Sequence, residues 1–145
     1  DPRAVPFELA GQPAPLFSMK RLDTGETLQL KDFIGRPIVI NFWATWCGPC
    51  KDEHPSLEWG YRKYGEQVVF LGIVFEDTEE ATRRFIAENG GSFPQLYDPT
   101  STVAVDYGVA GVPETYFINR QGIIAGKYAY PIDPPTLAAR IAEIL

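Results

Sequence analysis

"ATWCGPCKDEHP", Ala44 to Pro55, contains both cysteines of the chain, Cys47 and Cys50, two residues apart. Just upstream, "PIVINFWA" (Pro37 to Ala44) is a nearly unbroken apolar and β-branched run, the pattern of a strand buried on both faces. Just downstream, "PCKDEHPSLEWGYRKYG" spaces Leu57, Tyr61 and Tyr64 at three and four residues, which predicts a helix from about Pro49. Pro55 falls inside that pattern, removes a backbone donor and is expected to kink the helix. The decisive unit is therefore a buried strand running straight into a C-x-x-C pair at a helix start.

That placement has a chemical logic. The unpaired amides and partial positive charge of a helix N-terminus stabilise an anion, so a thiolate there is favoured over the thiol. Cys47 stands first and is the predicted attacking sulfur. Cys50, one turn inside and more buried, is placed to resolve a mixed disulfide. Gly48-Pro49 supplies a tight turn and a preset φ for the first helical turn. The competing reading is half a zinc site, but a structural zinc site takes four protein ligands, and only Cys47, Cys50 and His54 are near at hand. Dithiol–disulfide exchange is the stronger reading, with no metal expected.

Farther out, "LFSMKRL" and "ETLQL" flank the turn signal Asp23–Gly25 as a short N-terminal hairpin. "QVVFLGIVFE" is a second buried strand. A helix follows over "DTEEATRRFIAENGG", with Asp77 and Glu80 spaced as a capping box and Gly90 as its stop. "PQLYD" reads as a short strand and "STVAVDYGV" as a short helix. "ETYFIN" and "GIIAGKYAY" form a hairpin turned near Arg120–Gly122, and "PPTLAARIAEIL" a closing helix. The whole predicts an α/β fold, a mixed central sheet flanked by helices, in one domain over 1–145 with 1–10 as an extended lead-in.

With 145 residues, 45% hydrophobic and 22% charged, the chain can bury roughly 68–70% of its unfolded surface without disulfide staples. A net charge of −6 argues against nucleic-acid or anionic-membrane partners. No run of about 18 apolar residues reads as a membrane span. The start at Asp1, without Met, is expected to mark a trimmed ectodomain whose anchor or signal segment lies outside this sequence.

"NFWATWCGPCK" together with "GVPETYFI" resembles the thioredoxin superfamily. "GQPAPLF", "LKDFIGRPIVINFWATWC", "EHPSL", the extra strand–helix of residues 68–89 and "GVPETYFINRQGII" narrow the resemblance to extracytoplasmic reductases of the ResA/CcmG/TlpA type, leaning to the CcmG branch of cytochrome c maturation. The resemblance implies a thioredoxin-like fold with an N-terminal β-hairpin and an inserted strand–helix. It makes Pro113 the cis-proline facing the cysteines and lets the Val112 backbone pair with an extended substrate beside Cys47. Glu53 and Glu114 match acidic positions near the sulfurs. There a carboxylate raises a thiol pKa or accepts its proton. Trp46, Gly48 and Pro49 then border the substrate groove.

Two features depart from related patterns. Asn41 stands where cytosolic thioredoxins carry a buried aspartate, so proton acceptance falls to Glu53 and Glu114. Gly48-Pro49 is the cytosolic dipeptide, and a change of about 30 mV at this turn is worth roughly 1.4 kcal/mol. Trp43 is expected in the core, His54 solvated, Glu76 and Asp77 at a helix start, and Trp59, Tyr61 and Tyr64 as packing residues.

The function expected is a protein-disulfide reductase outside the cytoplasm, in the periplasm or on the outer face of the cytoplasmic membrane. It would act as a monomer on cysteine pairs of apocytochrome c or of a thioredoxin-like partner. Nothing resembles a flavin or nicotinamide site, so no cofactor is expected and electrons would return from a membrane donor. A general thioredoxin is one alternative. A Cu(I) metallochaperone or adaptor of TlpA type is another, since thiolates suit Cu(I), although a single Met and a single His leave few further soft ligands.

Overall fold

The computed structural model describes residues 8–145. Seven strands form one sheet: β1 (Ser18–Arg21), β2 (Thr27–Gln29), β3 (Ile38–Trp43), β4 (Val69–Val74), β5 (Gln95–Tyr97), β6 (Glu114–Ile118) and β7 (Ile124–Tyr128). Their spatial order is β2-β1-β5-β4-β3-β6-β7. β4 runs parallel to β3 and to β5, while β6 and β7 complete the sheet antiparallel. Among the described residues four α-helices accompany them: α1 (Gly48–Tyr64), α2 (Glu79–Asn89), α3 (Thr102–Asp106) and α4 (Pro134–Ala142).

All six residues of β3 and of β4 are buried, as central strands covered on both faces must be. The two-residue period of a strand divides them between two cores. Ile38, Ile40 and Phe42 join Leu71, Ile73, Tyr107 and Tyr116 on one face. Val39 joins Leu57, Phe70, Phe117, Leu137 and Ile141 on the other, which α1 and α4 cover. A third cluster at the end of β3 surrounds the cysteines with Leu22, Trp43, Ala44 and Val74. Trp43 is thus core, and Trp59, Tyr61 and Tyr64 pack against the α1–α4 side.

Two expectations change. Residues 1–7 of the lead-in lie outside the described residues, and residues 8–12 are turn and bend rather than extended chain. This turn is tied to β7 by Gly11 N to Ile124 O and Ile124 N to Gln12 O, which covers part of an otherwise open strand edge. The cap of α2 sits one residue later than the Asp77–Glu80 spacing suggests: Thr78 Oγ1 accepts from Ala81 N at 3.1 Å. Asp77 is committed elsewhere, as shown below. The helix α1 begins at Gly48 and continues through Pro55 to Tyr64.

Candidate active site

β3 delivers the chain to the mouth of α1, at the carboxyl end of two parallel strands, where open α/β sheets place their sites. Cys47 is the N-cap of α1, and its Sγ accepts from Cys50 N at 3.1 Å. The two cysteines are disulfide-bonded with Cα atoms 5.3 Å apart. Cys47 is 5% exposed and Cys50 2%, while Gly48 and Pro49 between them are open to solvent. The sulfur of the first cysteine therefore occupies the position where a capping oxygen normally satisfies the helix amides.

The loop before β6 closes on the same sulfur. Val112–Pro113 is a cis peptide bond, and the Val112 carbonyl oxygen lies 3.7 Å from Cys47 Sγ. Pro113 is buried and Val112 half-buried.

The two glutamates occupy different settings. Glu53, 2% exposed, accepts from Asn41 Nδ2 at 2.8 Å and from Ile132 N at 3.0 Å. Asn41 Nδ2 also reaches Thr115 Oγ1 at 3.1 Å. Burial pushes the Glu53 carboxyl up to about 7, against the opposing pull of the Ile132 amide and the Asn41 side chain. A solvated helix face would show none of this. Glu114 lies opposite Phe42 in the β3–β6 register, whereas Thr115 lies opposite Asn41. Directly opposed residues share a sheet face, so the two carboxylates project from opposite faces. Glu114, 3% exposed, accepts from Ala110 N, Gly111 N and Tyr116 OH and pairs with Lys127 Nζ at 3.1 Å. Burial, reinforced by the Glu114 charge, raises the Tyr116 phenol, which stays a donor. Glu114 thereby fastens the loop that carries Val112 and Pro113.

Trp46 is 58% exposed, and its indole donates to Glu76 O at 2.9 Å. Trp43 donates to Gln95 Oε1 at 2.7 Å. His54 departs from its expected solvation. Its Nε2 donates to Gly90 O at 2.9 Å, its ring meets Phe85 edge-on, and its side chain is only 12% exposed. The reason is that Phe85 of α2 and the Gly90 carbonyl at the end of that helix close on the ring. Among the described residues no group of three or more His, Cys, Asp and Glu is arranged to hold a metal ion.

Sequence reasoning missed three contributors: the Ile132 amide on Glu53, Lys127 on Glu114, and Asp77, which binds Thr45. A backbone amide has no sequence signature, and Lys127 reads as an ordinary strand residue. Asp77 did show a signal, as an acidic residue at the end of a parallel strand, but its partner lies 32 positions away.

Fold and cysteines together define a class, the thioredoxin-like thiol:disulfide oxidoreductases. The chain belongs to the AhpC/TSA family, which matches residues 10–127. It is 36% identical over 147 residues to the thiol:disulfide interchange protein DsbE of Allochromatium vinosum, covering 100% of this chain and 80% of that one. To the thiol:disulfide interchange protein HelX of Rhodobacter capsulatus it is 35% identical over 149 residues, covering 100% and 82%. Among solved structures, Mycobacterium tuberculosis dsbF in its mixed oxidized and reduced forms superposes with a TM-score of 0.83 at 27% identity, covering 97% of this chain and 99% of that one.

Proposed function

We propose that this oxidoreductase works as a reductant of protein disulfides outside the cytoplasm, in cytochrome c maturation. The observation that carries the reading is the seat of Cys47: its sulfur caps α1 and takes the Cys50 amide at 3.1 Å, a setting that favours thiolate. In the dithiol form, Cys47 thiolate attacks one sulfur of a client disulfide. A mixed disulfide forms and the client's other sulfur leaves as thiolate. Cys50 then attacks Cys47 Sγ, the 47–50 disulfide closes, and the second client sulfur is released; two electrons have passed to the client.

Glu53 lies one helical turn beyond Cys50 and its carboxyl is raised to about 7, so near neutral pH a large share of it is ionised, and that carboxylate takes the Cys50 proton as the thiol attacks. The Val112 backbone and Pro113 receive an extended client segment by strand addition. Trp46, Gly48 and Pro49 form the opposite lip, and Glu114 keeps the Val112 loop in place. The clients are cysteine pairs of apocytochrome c or of a thioredoxin-like partner, and a membrane donor restores the dithiol. The names of the relatives support thiol:disulfide interchange.

Two variants test this. Cys50→Ser, incubated in envelope extract, should retain such a client through Cys47, releasable by dithiothreitol. Cys47→Ser should lose insulin reduction entirely. Insulin reduction that survives Cys47→Ser, or tight Cu(I) uptake by a wild-type protein that reduces nothing, would overturn the proposal.

A further inference from the structure

The link between β4 and α2, Phe75 to Thr78, takes no part in the exchange just described, yet three successive residues of it, Phe75, Glu76 and Asp77, hold Trp43, Trp46 and Thr45 just ahead of the cysteines. Phe75 N donates to Trp43 O at 2.8 Å. Thr45 donates twice to one oxygen of Asp77, from its amide at 2.7 Å and its hydroxyl at 2.6 Å. Trp46 Nε1 donates to Glu76 O at 2.9 Å. The second Asp77 oxygen accepts from Thr78 N at 2.8 Å. Bonds to an ionised acceptor are the strong kind.

Glu76, whose carbonyl receives the indole, has φ 47, in the left-handed region that non-glycine residues seldom enter. Such a conformation persists only where the surroundings over-determine it. At 58% exposure Trp46 is not held by burial. What holds it are the Glu76 carbonyl and the anchored residue before it.

None of the hydrogen bonds of Cys47 itself is made to the 75–78 link. Its sulfur takes Cys50 N, and its amide donates to Ala44 O at 3.2 Å. Recognition and sulfur chemistry are therefore separable. We propose that Asp77 is a positioning residue for client recognition: by fixing Thr45, and with the Glu76 carbonyl, it sets Trp46 as a rigid aromatic wall beside Cys47 for an apolar or aromatic side chain of an extended client peptide. This rests on the disulfide-reductase reading above.

The test compares Asp77→Ala, Trp46→Ala and the double variant on two probes, insulin reduction driven by dithiothreitol and alkylation of reduced Cys47 by iodoacetamide. Asp77→Ala should raise the insulin KM about tenfold with kcat nearly unchanged, the signature of lost binding. Alkylation should stay within about twofold of wild type, since the thiol's own contacts remain. The double variant should be no worse than Trp46→Ala alone, because residues acting as one unit are not additive. Asp77→Asn keeps an oxygen for the Thr45 amide and should recover part of the loss. Thr45→Val removes only the hydroxyl donor and should give a smaller loss of the same kind, which serves if Asp77→Ala does not fold.

A wild-type KM in Asp77→Ala or, should that variant not fold, in Thr45→Val would overturn the inference. So would an equal fall in alkylation, or losses that simply add. Insulin reduction by the wild type, abolished in Cys47→Ser, is read separately and bears on the exchange itself.

Discussion

Glu53 is the residue whose setting departs furthest from its ordinary chemistry. Burial lifts its carboxyl from 4.5 to about 7, so the folded protein holds this proton more tightly than the unfolded chain does. Its contribution to stability is then fully present below about pH 4.5 and is lost as pH rises through about 7. The gap corresponds to on the order of 3 kcal/mol. Urea titrations of the wild type should show this downward slope, and Glu53→Gln, which does not titrate, should lack it. At this scale the cysteines were legible, because two sulfurs in one tetrapeptide leave little else to consider. The burial of Glu53 was not. Its place three residues after Cys50 says which side of the helix it takes, but its cover comes from Ile132, 79 positions on.

Whole elements show the same division. β3 and β4 could be read from their unbroken apolar runs, and the hairpin of β6 and β7 from its turn residues. The start of α2 could not. Asp77 and Thr78 are both good caps, and which one serves depends on whether Thr45 claims the carboxylate. Thr78→Ala should therefore cost about 1 kcal/mol of stability, read as a lower denaturation midpoint. β4 carries a second constraint at Gly72, where an added Cβ would overlap the Gln95 carboxamide that accepts the Trp43 indole. Gly72→Ala should destabilise by about 1–3 kcal/mol and shift the tryptophan emission as that bond is displaced.

Across the molecule, alternating strands and helices were enough to indicate a mixed sheet with helices on its faces. The strand order was beyond reach, because the pairing of the N-terminal hairpin with β5 joins Lys20 to Tyr97 and Arg21 to Leu96 through contacts that no local pattern encodes. The cover over Val39, Leu57 and Phe117 is completed by Leu137 of α4, which is fully buried. Leu137→Ala should cost about 2–5 kcal/mol, measured by urea unfolding. It should also bring the Glu53 titration back toward that of a free carboxylic acid, because α4 follows directly on the segment bearing the Ile132 amide. That dependence sets an order of events during biosynthesis. A growing polypeptide carries both thiols and an ordinary, freely ionised Glu53 until the segment bearing Ile132 is synthesised and folds back. The tuned acidity of Glu53 is thus acquired well after the thiols themselves have been made.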